Sequence, residues 1–422
     1  MYEFIIIFSA YSYNFERVFA MVHLGDWLIA LFFWVSVGAI VYTYFGYPIL
    51  IAFLASFRSQ PPPRPRNGDP LGVTLLIAAY NEEIAIEDKI KNSLAIDYPK
   101  ERFQILIVTD GSSDRTPQIV ESYASRGVEL MHQPERRGKM AAINRAIAQA
   151  RGEIIVFSDA NNFYQPDTIQ KLVAPFNDPA VGAVSGAKVI QKGDGSLGES
   201  EGLYWKYESF IKKQESKFAS CTSAAGEILA LRKDLFEPPP GNVINDDFFL
   251  AMQVLRKGFR VSYAPEAKSS ERVSQTAQDE IVRRTRINAG RYQAIALARQ
   301  FLPFKRPVLI WQIVSHKFMR PLVPFFMIGA FLANLLAVFF PNNGGFWTLG
   351  RPFGFIFLAL QIGFYALALL GSRIQQREGQ GKLARLLYLP AFLTNSNLAA
   401  LKGFFRFMRG GEGHLWQRIQ RR

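Results

Sequence analysis

Cysteine is nearly missing from this chain: one residue, Cys221, in 422. That excludes an internal disulfide and any cysteine-based metal site, and it suits a reducing compartment for the soluble part. Histidine is almost as rare, with four residues scattered along the chain, His132 among them; all four are read as structural. Acidic residues are outnumbered, 35 Asp and Glu against 49 Lys and Arg, leaving a net charge of +14. Such a balance fits nucleic acid, or a basic face against anionic lipid combined with a phosphate-rich substrate. The long apolar runs favour the second, and no nucleic-acid partner is expected. Residues 78–83 contain no glycine, so the first loop is not a Gly-rich cradle for a triphosphate. Tandem repeats and low-complexity segments are missing too.

What is abundant is apolar and aromatic: 49% hydrophobic and 14% aromatic residues, with 36 Phe. Residues 1–57 form an N-terminal region. Its Phe4–Phe8 run has no basic stretch before it and makes a poor signal peptide. Trp27 to Phe57 carries no formal charge and is long enough for one transmembrane helix, which needs about 20 residues. Arg58, Arg64 and Arg66 follow at once in a Pro-rich linker, 58–69. Basic residues beside a span favour the cytoplasmic side, so the chain from 58 onward is placed inside.

Residues 70–303 alternate strand and helix patterns, which predicts a mostly parallel sheet. Strands are expected at 73–79, 103–109, 128–132, 153–158, 181–190, up to Leu231, and at 259–263. Helices are expected at 82–94, 115–126, 139–150, 166–176, 199–217, 247–257 and 279–299. After that, 304–320 looks like an amphipathic interfacial helix. Residues 321–405 form a C-terminal membrane region: spans at 321–340 and 352–371, then an apolar stretch, 386–405. Its polar centre, Thr394 to Asn397, is costly facing lipid, so this third segment is read as re-entrant or interfacial. A basic tail, 406–422, closes the chain.

The strand ends carry the chemistry. Tyr80-Asn81-Glu82 follows the first strand, Asp110-Gly111-Ser112-Ser113-Asp114 the second, Arg136-Arg137-Gly138-Lys139 the third, and Asp159-Ala160-Asn161 the fourth. In a parallel sheet these clusters share one edge, where ligands bind. Asp159 and Asn161 could seat a hard cation, which takes one or two carboxylates plus phosphate oxygens. Acceptors for a base and ribose, cations for phosphates and a metal seat together describe a nucleotide diphosphate.

These motifs, in this order, resemble membrane-bound glycosyltransferases of family 2, from about residue 70 to the C-terminus. The resemblance implies an α/β GT-A domain, Rossmann-like, with N- and C-terminal transmembrane helices. It implies substrate contacts from Tyr80, Glu82 and Lys139, a base-binding role for Asp110, and Mg²⁺ or Mn²⁺ on Asp159 and Asn161. Asn245-Asp246-Asp247 resembles the family's acidic pair, making Asp247 the general base with Asp246 beside it. Gly226 and Glu227 fall near the acceptor pocket. Arg283 and Arg286 match the place of a Gln-x-x-Arg-Trp motif whose Arg holds the diphosphate; Arg283 stands for its Gln and Ile287 for its Trp. The activity so implied is inverting transfer of a sugar from a nucleotide sugar, with UDP the expected carrier. The acceptor would be a polysaccharide or a lipid-linked glycan at the cytoplasmic face of a bacterial-type inner membrane. Membrane lipids and other subunits of a polysaccharide synthesis or export complex are the further partners. Two other readings stay open: a sugar or lipid nucleotidyltransferase, and a non-catalytic scaffold subunit.

Overall fold

The computed structural model describes residues 24–58, 69–191, 195–240, 243–272, 277–373 and 382–410. The expectations for residues 1–20, most of the Pro-rich linker and most of the basic tail lie outside the described residues. The chain divides into two compact units. One holds Tyr47–Pro321 and the described residues from Ala399 onward; the other holds those up to Gly46 and those between Leu322 and Leu398.

The first unit is built on an eight-stranded mixed sheet: β1 (Val73–Ala79), β2 (Phe103–Asp110), β3 (Val128–Gln133), β4 (Ile154–Asp159), β5 (Phe163–Tyr164), β6 (Val181–Ile190), β7 (Leu229–Arg232) and β8 (Arg260–Glu271), in the order β3-β2-β1-β4-β7-β6-β8-β5. All seven residues of β1 are buried, as a strand covered on both faces requires. Its side chains alternate between two cores: Leu76 and Ala78 enter one, Val73, Leu75 and Ile77 the other. Helix α2 (Ile86–Leu94) caps the second core with Ile86 and Ile90; α4 (Lys139–Gln149) and α7 (Asp246–Arg256) fill the first. Between them in the chain lie α3 (Thr116–Glu121), α5 (Thr168–Val173) and α6 (Gly195–Phe218); α8 (Ala277–Ala296) follows.

β1, β2, β3 and β4 are mutually parallel, so their carboxyl ends share one edge. β7 runs antiparallel to β4, with Phe157 opposite Leu229. An antiparallel neighbour starts where its partner ends. The tight turn Gly226–Ile228 before β7 is therefore delivered to the same edge as Asp159.

Several elements differ from the sequence pattern. β8 runs to Glu271 although Pro265 interrupts it, because Ala264 pairs with Gly186 and Lys268 with Ala187; Pro265 falls in the bulge, where a missing N–H is harmless. Helix α2 begins at Ile86 rather than Glu82, since the N–H groups of 81–83 bond to the next loop instead. The 304–320 segment is not a separate interfacial helix. It opens one helical run, α9 (Pro307–Phe339), which passes through a π turn at Val314–Phe318. Its polar residues are buried against the domain: Gln312 Nε2 donates to Ser220 O at 3.3 Å, and His316 Nδ1 meets Glu215 Oε1 at 2.8 Å.

Among the described residues, three helices are long and apolar enough to cross a membrane: α1 (Leu24–Ser56), α9, and α10 (Phe353–Arg373). In the second unit Ala30 and Phe33 of α1 pack on Ala330, Ala333 and Ala337 of α9, the small-residue contact that lets membrane helices approach closely. The last stretch is an unbroken helix, α11 (Lys382–Met408), without the break a re-entrant segment needs. Its Asn397 Nδ2 donates to Tyr44 Oη at 2.9 Å, so the costly amide has a partner.

Candidate active site

The loops after β1 and β2 are laced together. Asn81 adopts φ 54°, a left-handed conformation that Asn tolerates better than most residues. This aims its Oδ1 at Ser113 N (2.8 Å), while Asn81 N reaches Ser112 Oγ and Glu82 N reaches Thr116 Oγ1 (2.8 Å). Gly111, at φ 70°, lets the β3 loop close over β2: a Cβ there would lie 2.6 Å from Arg136 Cβ. The Arg136 guanidinium in turn stacks 3.9 Å from the Tyr80 ring centroid.

Asp110 is buried to 1% exposure and holds that loop. Its Oδ2 accepts from Arg137 N (2.9 Å) and Gly138 N (2.6 Å), and Arg145 Nη2 pairs with Oδ1 at 3.3 Å. These bonds give Asp110 a local task in shaping the loop. Gly138 is the N-cap of α4, so Lys139 leaves the helix at its first turn. Lys139 Nζ donates to Asp159 Oδ1 at 2.7 Å. Burial works against the Lys139 charge, but Asp159, then Asp246 and Asp247, more than offset it and hold the ammonium above its ordinary range. One cation therefore answers to acids from β4 and from α7.

Asp159 is about a third exposed, 38% of its side chain. Asn161 Oδ1 is buried without a hydrogen-bond partner among the described residues. An unsatisfied oxygen two positions from a carboxylate is the donor type a hard cation takes, so this donor set fits Mg²⁺ or Mn²⁺. Among the described residues no three His, Cys, Asp or Glu converge on a metal seat; phosphate oxygens would have to complete the shell.

On the other side, Asp246 and Asp247 open α7, whose free N–H groups favour acids there. Asp247 Oδ1 accepts from Phe248 N at 2.8 Å. Burial first, then the charge of Asp246, push its carboxyl up to about 6. Gly226 lies against it: a Cβ there would be 3.4 Å from Asp247 Cβ and 3.7 Å from Oδ2. Glu227 is tied up with Lys188 at 3.1 Å, and Lys188 also pairs with Glu271. Arg283 is not brought into this group, because Glu280 holds it at 2.7 Å and Glu201 lies 3.7 Å away. Arg286 is half-buried and has no ion-pair partner among the described residues. Its helix packs on the start of α7, where Asn245 Nδ2 donates to Ile287 O at 3.0 Å. Sequence reasoning missed Lys317, which lowers the Asp247 carboxyl and bonds Ser223 Oγ and Glu208; it lies far along the chain, in no motif. It also missed Asn162, whose one visible sign is the Asn-Asn doublet after Asp159.

Comparisons with known proteins agree with this geometry. Residues 74–237 match the family model described as Glycosyl transferase family 2. A probable glycosyltransferase of Bacillus subtilis is 28% identical over 302 residues, covering 69% of this chain and 70% of that protein. A poly-beta-1,6-N-acetyl-D-glucosamine synthase of Staphylococcus aureus is 30% identical over 207 residues, 46% of this chain and 48% of its own, so the chain spans about half of that relative. A solved mannosyltransferase from Pyrobaculum calidifontis, in complex with GDP-Man and Mn²⁺, shares the fold at TM-score 0.64 and 25% identity, over 89% of this chain and 99% of that one. The strand-end motifs and the family match fall on the same stretch: the domain carried by residues 74–237 belongs to glycosyl transferase family 2 and has the GT-A fold.

Proposed function

We propose that this chain is an inverting, metal-assisted glycosyltransferase that moves a sugar from a nucleotide-diphosphate donor to a glycan or lipid-linked acceptor at a membrane. The observation that carries the reading is the electrostatic junction at Lys139, whose ammonium is held by Asp159 and feels Asp246 and Asp247. A seat for a leaving diphosphate and a raised carboxylate thus stand within reach of one another. The acceptor oxygen attacks the anomeric carbon while Asp247 takes its proton. The bond from that carbon to the diphosphate oxygen breaks, and the electron pair leaves on the nucleotide. Lys139 and the unpaired Arg286 offset that charge. A divalent ion held by Asp159 and Asn161 would add further neutralisation there. The carbonyls and hydroxyls around Tyr80, Glu82 and Asp110 border the nucleotide side; Gly226 and Glu227 border the acceptor side.

UDP is the carrier expected from the sequence, and GDP-mannose is the donor in the solved mannosyltransferase; the name of the Staphylococcus aureus relative supports a polysaccharide product. The test is nucleotide release from UDP-glucose, UDP-N-acetylglucosamine and GDP-mannose by the full chain in membranes with Mn²⁺. Asp247→Asn should cut transfer by about 10²–10⁴-fold, the usual contribution of a positioned base. Undiminished release from that variant removes the assignment.

A further inference from the structure

Asn162 is fully buried, 0% exposed, and every polar group it carries beyond its N–H is engaged. Its carbonyl accepts from Lys89 Nζ at 2.7 Å, and its Oδ1 from Ser158 Oγ at 3.0 Å. Its Nδ2 donates to Glu227 O at 3.0 Å and to Ser269 Oγ at 2.7 Å. Tyr164 Oη gives Glu227 O a second donor, at 2.6 Å. Three residues before Asn162 stands Asp159, on the diphosphate side. One residue before Glu227 stands Gly226, where an added Cβ would touch Asp247. A short run of hydrogen bonds therefore joins the two halves of the site, and Asn162 is its centre.

Lys89 points the same way. It is fully buried and, among the described residues, has no carboxylate in ion-pair contact. Its partners are the Asn162 oxygens and the Tyr164 ring, 4.4 Å from Nζ to centroid. A buried ammonium is costly, and apolar packing would serve stability better. What a fully bonded polar centre adds is a unique geometry.

We propose that Asn162 is a positioning residue: it sets the separation between the leaving-group side, Asp159 and Lys139, and the acceptor side, Gly226, Glu227 and Asp247. The inference rests on the transferase reading above. In a single displacement the attacking oxygen and the leaving oxygen must stand on opposite faces of one carbon. A shift of about 1 Å in such a pair costs about 10²-fold.

The test is Asn162→Asp in the full chain, purified in lipid nanodiscs. The substitution keeps the shape and both acceptors, gives Lys89 a carboxylate partner, and replaces the donors to Glu227 O and Ser269 by an oxygen that can no longer donate to either and repels Glu227 O. Three quantities are read: affinity for UDP and GDP with Mn²⁺, sugar transfer to a membrane lipid extract, and transfer to water. Nucleotide affinity should stay within about threefold of wild type while sugar transfer falls about 10²-fold, far more than transfer to water. Tyr164→Phe, which removes the other donor, should lower the ratio of transfer to hydrolysis in the same direction by less, and it decides the matter if Asn162→Asp does not fold. An unchanged ratio in the folded variants overturns the proposal, even if both rates fall together. Failure of the wild type to release nucleotide from any of the three donors overturns the transferase reading instead.

Discussion

At the scale of single residues, the proposed base, Asp247, predicts the acid limb of the pH profile. A general base works deprotonated, and burial with the Asp246 charge places this carboxyl at about 6. Transfer should therefore rise with pH through about 6 and level off above it. Removing the neighbouring acid relieves the base, so Asp246→Asn should move the limb to lower pH. Lys317 acts oppositely, since its charge favours the carboxylate; Lys317→Met should move the limb upward. Rate–pH profiles of the two variants check this, and shifts in the same direction would contradict it. Lys139 also pairs directly with Asp159, so Lys139→Met should in addition weaken nucleotide affinity.

At the scale of elements, the loops matter more than the helices they join. Gly111 is held at φ 70° against the backbone of Arg136, with its nitrogen 2.9 Å from where a Cβ would sit. Gly111→Ala should lower stability by about 1–3 kcal/mol, the range for a strained backbone position, and should also weaken nucleotide binding, because the 136–139 loop would be displaced. Chemical denaturation and a nucleotide titration read the two effects separately. Much of this edge is legible in the chain itself. Continuous apolar runs mark β1, β2 and β4, and each run stops at a polar motif, so local pattern alone places Tyr80, Asp110 and Asp159 at the strand ends. The acceptor side is not legible in that way. Gly226 reaches Asp159's edge because β7 inserts antiparallel between β4 and β6, a choice made by long-range pairing. β5, two residues long, is shorter than any periodicity can mark. Arg283 reads as a free cation in the chain and is neutralised by Glu201, eighty-two positions earlier, as well as by Glu280.

At the scale of the whole molecule, the question is which side of a membrane holds the transferase domain. Among the described residues three helices have the length and apolarity to cross, and the basic residues after α1, Arg58, Arg64 and Arg66, favour the cytoplasm for the domain they lead into. A nucleotide-sugar donor is made inside the cell, which asks for the same placement. The scarcity of cysteine makes the test clean. Cys221 is the sole thiol, it is fully buried, and burial pushes it up to about 12, so the native chain offers almost no reactive thiolate. A new cysteine at Glu266, whose side chain is 72% exposed in the β8 bulge, reports on the domain. Another at Asn343, exposed in the loop between α9 and α10, reports on the far end of a span. With a membrane-impermeant maleimide, Glu266→Cys should label in inverted vesicles and not in intact spheroplasts, and Asn343→Cys should do the reverse. Labelling of both from one side would mean that α9 does not cross, and a reversed pattern would put the active site where no nucleotide sugar can reach it.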